Sequence, residues 1–250
     1  SPFRIGVYVQ TPTWYKLTTS NRSTIEKNPG NMIPGVSNSG GESHERYDYK
    51  FYTPWKFGVS LGHTFGDYLA LGLTYEYEDY STNDTRIIDG GYYNYYGDYV
   101  EQSSSDDDMN HNTKSALRAV STLKAGMEFK VAPEFSVRLG YNYVSPMYSK
   151  RGYRDGSIYS PGTYYSSTTD YTNWQATNRI TAGVGYTHKN WTIDLAYQYS
   201  QTNGEFHPFM DSYYDGKDAD GNAYTIENYA DAVKVSNKRN QLLLTVGYRF

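Results

Sequence analysis

The end of the chain, residues 242–250, alternates between two kinds of side chain. Counting back from the last residue, every second position is apolar or aromatic: Phe250, Tyr248, Val246, Leu244 and Leu242. The positions between them carry mostly small or polar side chains. Because successive side chains of a β-strand point to opposite faces, this segment is predicted to be a strand with one apolar face and an aromatic terminus.

The same alternation predicts eight strands along the chain, in residues 3–11, 46–65, 69–77, 117–131, 135–143, 180–186, 191–199 and 238–250. On the apolar face, aromatic residues lie near the strand ends, with aliphatic residues such as Val59, Leu71 and Leu195 between them. An aliphatic band between aromatic girdles is typical of a sheet that faces lipid. A soluble β-sandwich or lipocalin-like barrel also alternates, but its apolar face would form a core made mainly of Val, Ile and Leu.

The composition agrees with strands that cross a membrane. The mean hydropathy is −0.76, and no stretch approaches the roughly 20 apolar residues of a transmembrane helix. Barrel strands keep a low average hydropathy because only every second residue meets lipid. The chain has 30 tyrosines, whose apolar ring and polar hydroxyl suit a membrane interface. A net charge of −4 gives no support for a nucleic-acid partner, and the absence of cysteine excludes thiol chemistry.

The connections between the predicted strands alternate in length. Three are tight turns, near residues 66, 133 and 189, and four are long and polar, at 18–45, 81–113, 149–173 and 202–236. Transmembrane barrels have short periplasmic turns and long extracellular loops. The whole chain is therefore predicted to be one all-β segment, an antiparallel transmembrane β-barrel of about eight strands in the outer membrane, with both chain ends on the periplasmic side.

Three segments resemble the long-chain fatty-acid transporter (FadL-type) family of outer-membrane barrels. Residues 3–17 and 53–62 are similar to two successive strands from the middle of that family's barrel, and residues 135–141 are similar to a later strand. Proteins of this class also end in an aromatic strand, which serves as their assembly signal. The resemblance implies that this chain is the C-terminal portion of a 14-stranded barrel, with the first strands and the N-terminal hatch in a separate segment. A reduced barrel of eight strands is the alternative.

The resemblance implies an outer-membrane channel for the uptake of hydrophobic small molecules such as long-chain fatty acids. Its expected partners are membrane lipid and a hydrophobic ligand, with no nucleic acid and no cofactor. The alternative is a surface barrel that transports nothing and anchors or binds a component of an outer-membrane complex. An enzyme is not predicted, because no nucleophile or general-base constellation can be placed.

The polar face of the strands carries the candidate ligand-binding residues: Arg118, Arg138, Arg179, Glu76 and Asp194. Charged groups excluded from lipid must face water or one another. A guanidinium is well shaped for a carboxylate head group, so the three arginines are candidate contacts for an anionic ligand. The alternative is a structural set of ion pairs that fills the interior.

Glycines and prolines on the strands have more than one interpretation. The polar face carries Gly58, Gly62, Gly72, Gly126, Gly140, Gly183 and Gly247. Either a hatch pressed against the wall or the curvature of the barrel would account for them. Pro12 and Pro54 interrupt strand patterns and are expected to mark bulges or the level at which strands leave the membrane.

Two acidic segments resemble metal sites only in part, and no metal ligand is predicted. Asp218, Asp220 and Gly221, with Glu227, match four positions of a calcium loop, but Gly216 stands where its first ligand belongs. A turn-forming acidic loop is the expectation there. The run 106–108 with His111 lacks a second cluster, so a solvated loop is expected.

Overall fold

The computed structural model describes residues 2–27, 39–153, 158, 160 and 170–250. Parts of the long connections 18–45 and 149–173 lie outside these residues. The strands are β1 (Phe3–Gln10), β2 (Trp14–Lys27), β3 (Ser39–Tyr52), β4 (Lys56–Phe65), β5 (Leu69–Asp79), β6 (Asp84–Tyr93), β7 (Tyr99–Ser105), β8 (Ala119–Ala132), β9 (Phe135–Val144), β10 (Tyr171–His188), β11 (Trp191–His207), β12 (Ser212–Lys217), β13 (Ala223–Asn228) and β14 (Val233–Tyr248). A 3-10 helix spans Tyr80–Thr82, and one α-helix, α1, spans Asp107–Ala116.

Eight strands form the main sheet, in the order β1-β4-β5-β8-β9-β10-β11-β14, and every pair is antiparallel. Three hairpins, β4–β5, β8–β9 and β10–β11, turn at residues 66–68, 133–134 and 189–190. The all-β antiparallel fold and the eight strands predicted from the sequence are confirmed. Within the described residues the sheet is open, because β1 pairs only with β4 and β14 only with β11.

The returning strands of the three hairpins share one sequence pattern. In β5, β9 and β11 the third and fifth residues are aliphatic, and the seventh and ninth are tyrosines. Each seventh tyrosine donates its hydroxyl to, or shares a hydrogen bond with, a polar residue of the next strand: Tyr75 with Ser121, Tyr141 with Asn178, and Tyr197 with Asn240. The tyrosines therefore mark the same distance from the tight turn in all three hairpins.

The apolar face of the main sheet, here called the outer face, has no protein layer over it in the described part of the chain. Leu242 is 72% exposed and Leu244 is 68% exposed. Among the described residues few apolar side chains are buried: Tyr47, Ala116, Val120 and Tyr171, together with Pro54. A soluble sandwich would bury this face in a core, which the described residues do not form.

The prolines mark the boundary between two sheets. The continuous alternation over residues 46–65 is divided between β3 and β4 at Pro54, opposite Pro12. Proline lacks the N–H that a ladder needs, but Thr53 N donates to Thr13 O at 2.9 Å across the gap. Beyond it the strands join a second, four-stranded sheet in the order β2-β3-β6-β7.

The long connections carry regular structure of their own. Besides the second sheet, β12 and β13 form a hairpin within the connection at 202–236. The solvated loop expected at 106–111 is wrong, because the segment begins α1. Asp106 is buried at its N-terminus, where its Oδ1 accepts from Met109 N at 3.1 Å. Carboxylates at a helix N-terminus satisfy free N–H groups and suit the helix dipole.

The acidic turn of the β12–β13 hairpin is closed by Asp218. Its carboxylate accepts hydrogen bonds from Asp220 N at 3.0 Å and from Asn222 N at 2.8 Å. A hydrogen bond from the Asn222 side-chain amide, together with these backbone bonds, holds the pKa of the Asp218 carboxyl below its usual value. No group of three or more metal-ligating side chains lies within the residues that the structure describes.

None of the helices in the described ranges is long and apolar enough to cross a membrane.

Candidate functional site

The polar face of the main sheet, here called the inner face, carries four of the five candidate residues. The strand registers place Glu76 on β5, Arg138 on β9, Arg179 on β10 and Asp194 on β11 with their side chains on this one face. Arg118 lies just before β8, at the end of the sheet remote from the three tight turns.

Glu76 is the centre of a polar cluster that spans four strands. It is only 7% exposed, and it accepts hydrogen bonds from Lys124 Nζ at 2.6 Å and from the Tyr8 hydroxyl. Lys56 Nζ lies 3.4 Å from its second oxygen. Tyr8 reaches Glu76 over Gly58, where an added Cβ would stand 2.2 Å from the Tyr8 ring. A carboxylate with three donors is thereby fixed as an anion against the wall.

Arg138 forms the second cluster and joins two carboxylates. Its Nε donates to Glu128 at 2.6 Å, and its Nη1 donates to Asp194 on β11. The side chain crosses β10 at Gly185, where an added Cβ would lie 2.7 Å from Asp194 Oδ1 and 3.1 Å from Arg138 Nη1. Because glycine has no side chain, this position leaves room for the ion pair between Arg138 and Asp194.

A row of glycines separates the two clusters. Gly62, Gly72, Gly126 and Gly140 lie side by side on β4, β5, β8 and β9. At Gly72 an added Cβ would meet nothing within 4 Å, and at Gly126 only a backbone oxygen at 3.8 Å. Three adjacent strands thus present bare backbone to the space in front of the inner face, whereas at Gly140 an added Cβ would lie 2.4 Å from Thr181 Oγ1.

Arg179 differs from Arg138 in its partners. Its Nη1 donates to the Asn142 side chain at 2.9 Å, and within the described residues it forms no ion pair with a carboxylate. Asn142 stands four residues along β9 from Arg138, so the two guanidinium groups are at different levels of the wall. The structure therefore does not gather the three candidate arginines at one point.

Arg118 lines a cleft at the end of the sheet remote from the tight turns. Two adjoining cavities of about 430 Å³ and about 250 Å³ share Tyr148, Tyr153 and Asn173 in their walls. We call this combined space the rim cleft. Leu117, Met147 and Ala116 line its larger part, whereas Arg118, Lys150 and Glu205 line its smaller part.

The larger part of the rim cleft combines these apolar side chains with polar ones, among them Asp170, whereas its smaller part is charged. Its wall is closely packed. Asn173 is buried and donates to Gly152 O at 2.5 Å. Behind the wall, His207 is 2% exposed, stacks on Tyr171 with ring centroids 4.6 Å apart, and meets the edge of Tyr153 at 5.7 Å. The Arg118 Nε donates to Pro146 O at 3.0 Å, which leaves its Nη groups for other partners.

Sequence reasoning selected Arg118 but missed the residues around it, since most of them belong to a long connection. A tyrosine followed two residues later by a lysine, five residues after the end of a predicted strand, was the available signal.

Similarity to known proteins is found among solved structures. No protein-family model matches the sequence, and no curated protein matches it either. Among solved structures, the chain is similar to a Pseudomonas aeruginosa FadL homologue, with 12% identity and a TM-score of 0.48. The similarity covers 99% of this chain and 49% of the homologue, so the chain spans about half the length of that protein.

Proposed function

We propose that this protein is part of an outer-membrane channel for the uptake of hydrophobic small molecules such as long-chain fatty acids. The rim cleft is the observation that carries the proposal. A ligand with a carboxylate and an alkyl tail fits a cleft with Arg118 and Lys150 at one end and Leu117 and Met147 at the other. Glu205 lowers the net positive charge at that end, and Asp170, in the larger part of the cleft, offsets the one cation that remains.

The outer face of the main sheet supports the membrane setting. Many of its aliphatic side chains are between two-fifths and three-quarters exposed, as for Leu195 and Leu242, and so large an apolar surface is rarely left to water. Lipid is its proposed environment. In this setting Tyr75, Tyr141 and Tyr197 lie where the hydrocarbon gives way to head groups.

The inner face supplies the route in this proposal. After release from the rim cleft, a carboxylate meets Arg179, whose guanidinium is held by an amide alone, and then Arg138. Glu76 and Asp194 are assigned to holding Lys124 and Arg138 against the wall. The proposed activity is transport, with no chemical step and no cofactor.

The proposal includes further strands that close the barrel. The edges at β1 and β14 each leave a row of backbone groups unpaired within the described part of the chain. Lipid offers no hydrogen bonds to such groups, so an open edge is not stable in a membrane. We assign its closure to the first strands of a 14-stranded barrel, which would also bring the hatch.

A binding experiment tests the rim cleft. The refolded protein in zwitterionic micelles is titrated with dodecanoate and with dodecanol, which share a tail and differ in the head group. Arg118→Gln should weaken dodecanoate binding about tenfold, since a hydrogen bond to a charged group contributes about 1.5 kcal/mol or more, and should leave dodecanol unchanged. Arg151→Gln is the matched control, because Arg151 is exposed nearby but does not line the cleft. Equal loss for both ligands, or no loss, would contradict the proposal.

An uptake experiment separates transport from the alternative. Cells that lack their own fatty-acid transporter and make this protein in the outer membrane should accumulate labelled oleate. The alternative, a surface barrel that binds a partner and transports nothing, is favoured by the second sheet, which carries largely exposed tyrosines such as Tyr95. An assembled protein that gives no uptake above the empty strain would favour that alternative.

A further inference from the structure

The hairpin formed by β6 and β7 ends in a cluster of exposed tyrosines. Tyr95 is 97% exposed and Tyr96 is 86% exposed. With three neighbours they form what we call the tyrosine tip: Tyr92, Tyr93, Tyr95, Tyr96 and Tyr99. Contiguous exposed aromatic surface on a protein usually marks a binding site, because burying it on a partner is favourable.

The turn that carries the tyrosine tip is held rigid by its own hydrogen bonds. The Asn94 side chain accepts from Tyr96 N and from Asp98 N, each at 2.9 Å. Gly97 adopts a φ of +84°, which favours glycine, and its N donates to Asn94 O at 3.0 Å. Tyr93 and Tyr99 meet edge to face at 5.4 Å. A surface fixed in this way loses little conformational entropy on binding.

The chain segment that carries the tyrosine tip has charged side chains of one sign. From residue 87 to residue 113 the sequence has six carboxylates and neither lysine nor arginine. Asp89 and Asp98 are exposed beside the tip, whereas Glu101 is already paired with Lys16 and Lys50 of the same sheet. Among the described residues Asp89 and Asp98 form no ion pair, so a cation on a partner would complement them.

The strand beside the tip offers a backbone edge as well. Within the described residues β7 pairs with β6 alone, so its other side has free N–H and C=O groups. An extended polypeptide can add to such an edge as a further strand.

We propose that the tyrosine tip and the free edge of β7 dock an extended, arginine-bearing segment of another protein. Guanidinium groups stack on the exposed tyrosine rings, Asp89 and Asp98 supply the opposite charge, and the partner backbone pairs with β7. Arginine is preferred to lysine here, because its planar group stacks on an aromatic face and holds its water weakly.

The test uses the full chain refolded in zwitterionic micelles and three synthetic peptides of otherwise identical sequence. Four positions are all arginine in the first peptide, all lysine in the second and all glutamine in the third. The protein should bind the arginine peptide most tightly, the lysine peptide more weakly and the glutamine peptide least. The double variant Tyr95→Ala/Tyr96→Ala should weaken arginine-peptide binding about tenfold, because two exposed cation–π contacts are lost. Tyr214→Ala, at an exposed tyrosine of the separate β12–β13 hairpin, is the matched control and should bind as the unchanged protein does.

A second variant tests the charge. Asp98→Asn should weaken binding of the arginine peptide and of the lysine peptide about threefold each, and should leave binding of the glutamine peptide unchanged. The proposal is overturned if the three peptides bind equally, or if the double tyrosine variant binds the arginine peptide as tightly as the Tyr214→Ala control. Binding of neutral oligosaccharides in place of the arginine peptide, lost in the same double variant, would also overturn it and would assign the tip to carbohydrate.

Discussion

Tyr8 and Glu76 are held together across a strand that lies between them. Their contact exists because β4 has glycine at position 58, directly opposite Tyr8 in the register of β1 and β4. Any side chain at that position would occupy the volume of the tyrosine ring.

Gly58→Ala should therefore destabilise the folded protein by about 1–3 kcal/mol, the usual cost of placing a methyl group where a neighbour already packs. The tyrosine ring has to leave Glu76 to make room. The free energy of unfolding, measured by urea titration of the protein in lipid vesicles, gives the cost.

A double-mutant cycle provides the control for this prediction. In a Tyr8→Ala background the added methyl group at Gly58 no longer meets the tyrosine ring, so its cost should fall sharply. The same cost in both backgrounds would mean that Gly58 is required for a reason other than the Tyr8 ring.

The sequence predicted which face each charged residue occupies, but not its partners. Alternation alone places Glu76, Arg138 and Asp194 on the polar face, because a strand has a period of two. The pairing of Arg138 with Asp194 depends on the registers of three strands and on the space above Gly185. The alternation within a single strand gives neither the registers between strands nor the free space above a glycine.

The second sheet places three cations next to one another. Lys16, Lys50 and Arg86 are direct cross-strand neighbours on β2, β3 and β6. Like charges in this position repel. Glu101 on β7 offsets the repulsion by pairing with Lys16 and with Lys50, the latter at 3.0 Å. These two hydrogen bonds hold the pKa of the Glu101 carboxyl below its ordinary value of 4.5.

The contribution of Glu101 to the stability of this sheet should depend on pH with a defined sign. A carboxyl group whose pKa is lowered by folding stabilises the fold fully above its ordinary pKa, and the effect is lost as the pH falls through the lowered value. Hydrogen-exchange protection of the β7 amides should therefore be constant above about pH 4.5 and fall at lower pH. In the Glu101→Gln variant the protection of these amides should be weak at every pH.

Glu42→Gln is the matched control for this prediction. Glu42 pairs with Arg22 in the same sheet at 2.8 Å, but both side chains are at least half exposed, and exposed pairs contribute little. In the Glu42→Gln variant the hydrogen-exchange protection of the β7 amides should depend on pH as it does in the unchanged protein. Protection in Glu101→Gln that equals that of the control would contradict the role given to Glu101.

At the scale of elements, hydrophobic periodicity found the main sheet and little else. The alternation of residues 46–65 does not separate β3 from β4, and within that segment Pro54 alone indicates the boundary between the two sheets. Helix α1 was missed because its sequence is polar on all sides and has no apolar face. Its only sequence signals are the capping residue Asp106 and the acidic residues of the first turn. Its position depends on tertiary contacts, such as Ser160 donating to Asp106 at 2.7 Å.

The molecule as a whole is organised by the contrast between the two faces of one sheet. The three hairpins repeat the same order of aliphatic residues and tyrosines on the outer face, while the inner face changes from strand to strand. A repeated pattern is expected where one uniform medium touches every strand, and a varied one where side chains contact specific partners.

A lysine placed on each face of β11 tests this organisation. Leu195 lies in the middle of the aliphatic outer face, and Gln198, three residues further along, lies on the inner face, where it donates to Gln241 at 2.9 Å. In lipid vesicles Leu195→Lys should lower the free energy of unfolding by about 2–4 kcal/mol, because the ammonium group is placed in hydrocarbon. Gln198→Lys should cost about 1 kcal/mol, the value of one neutral hydrogen bond, since water surrounds the new charge. Urea titration of both variants gives the comparison, and a larger cost at Gln198 than at Leu195 would mean that the inner face, not the outer one, is the face kept from water.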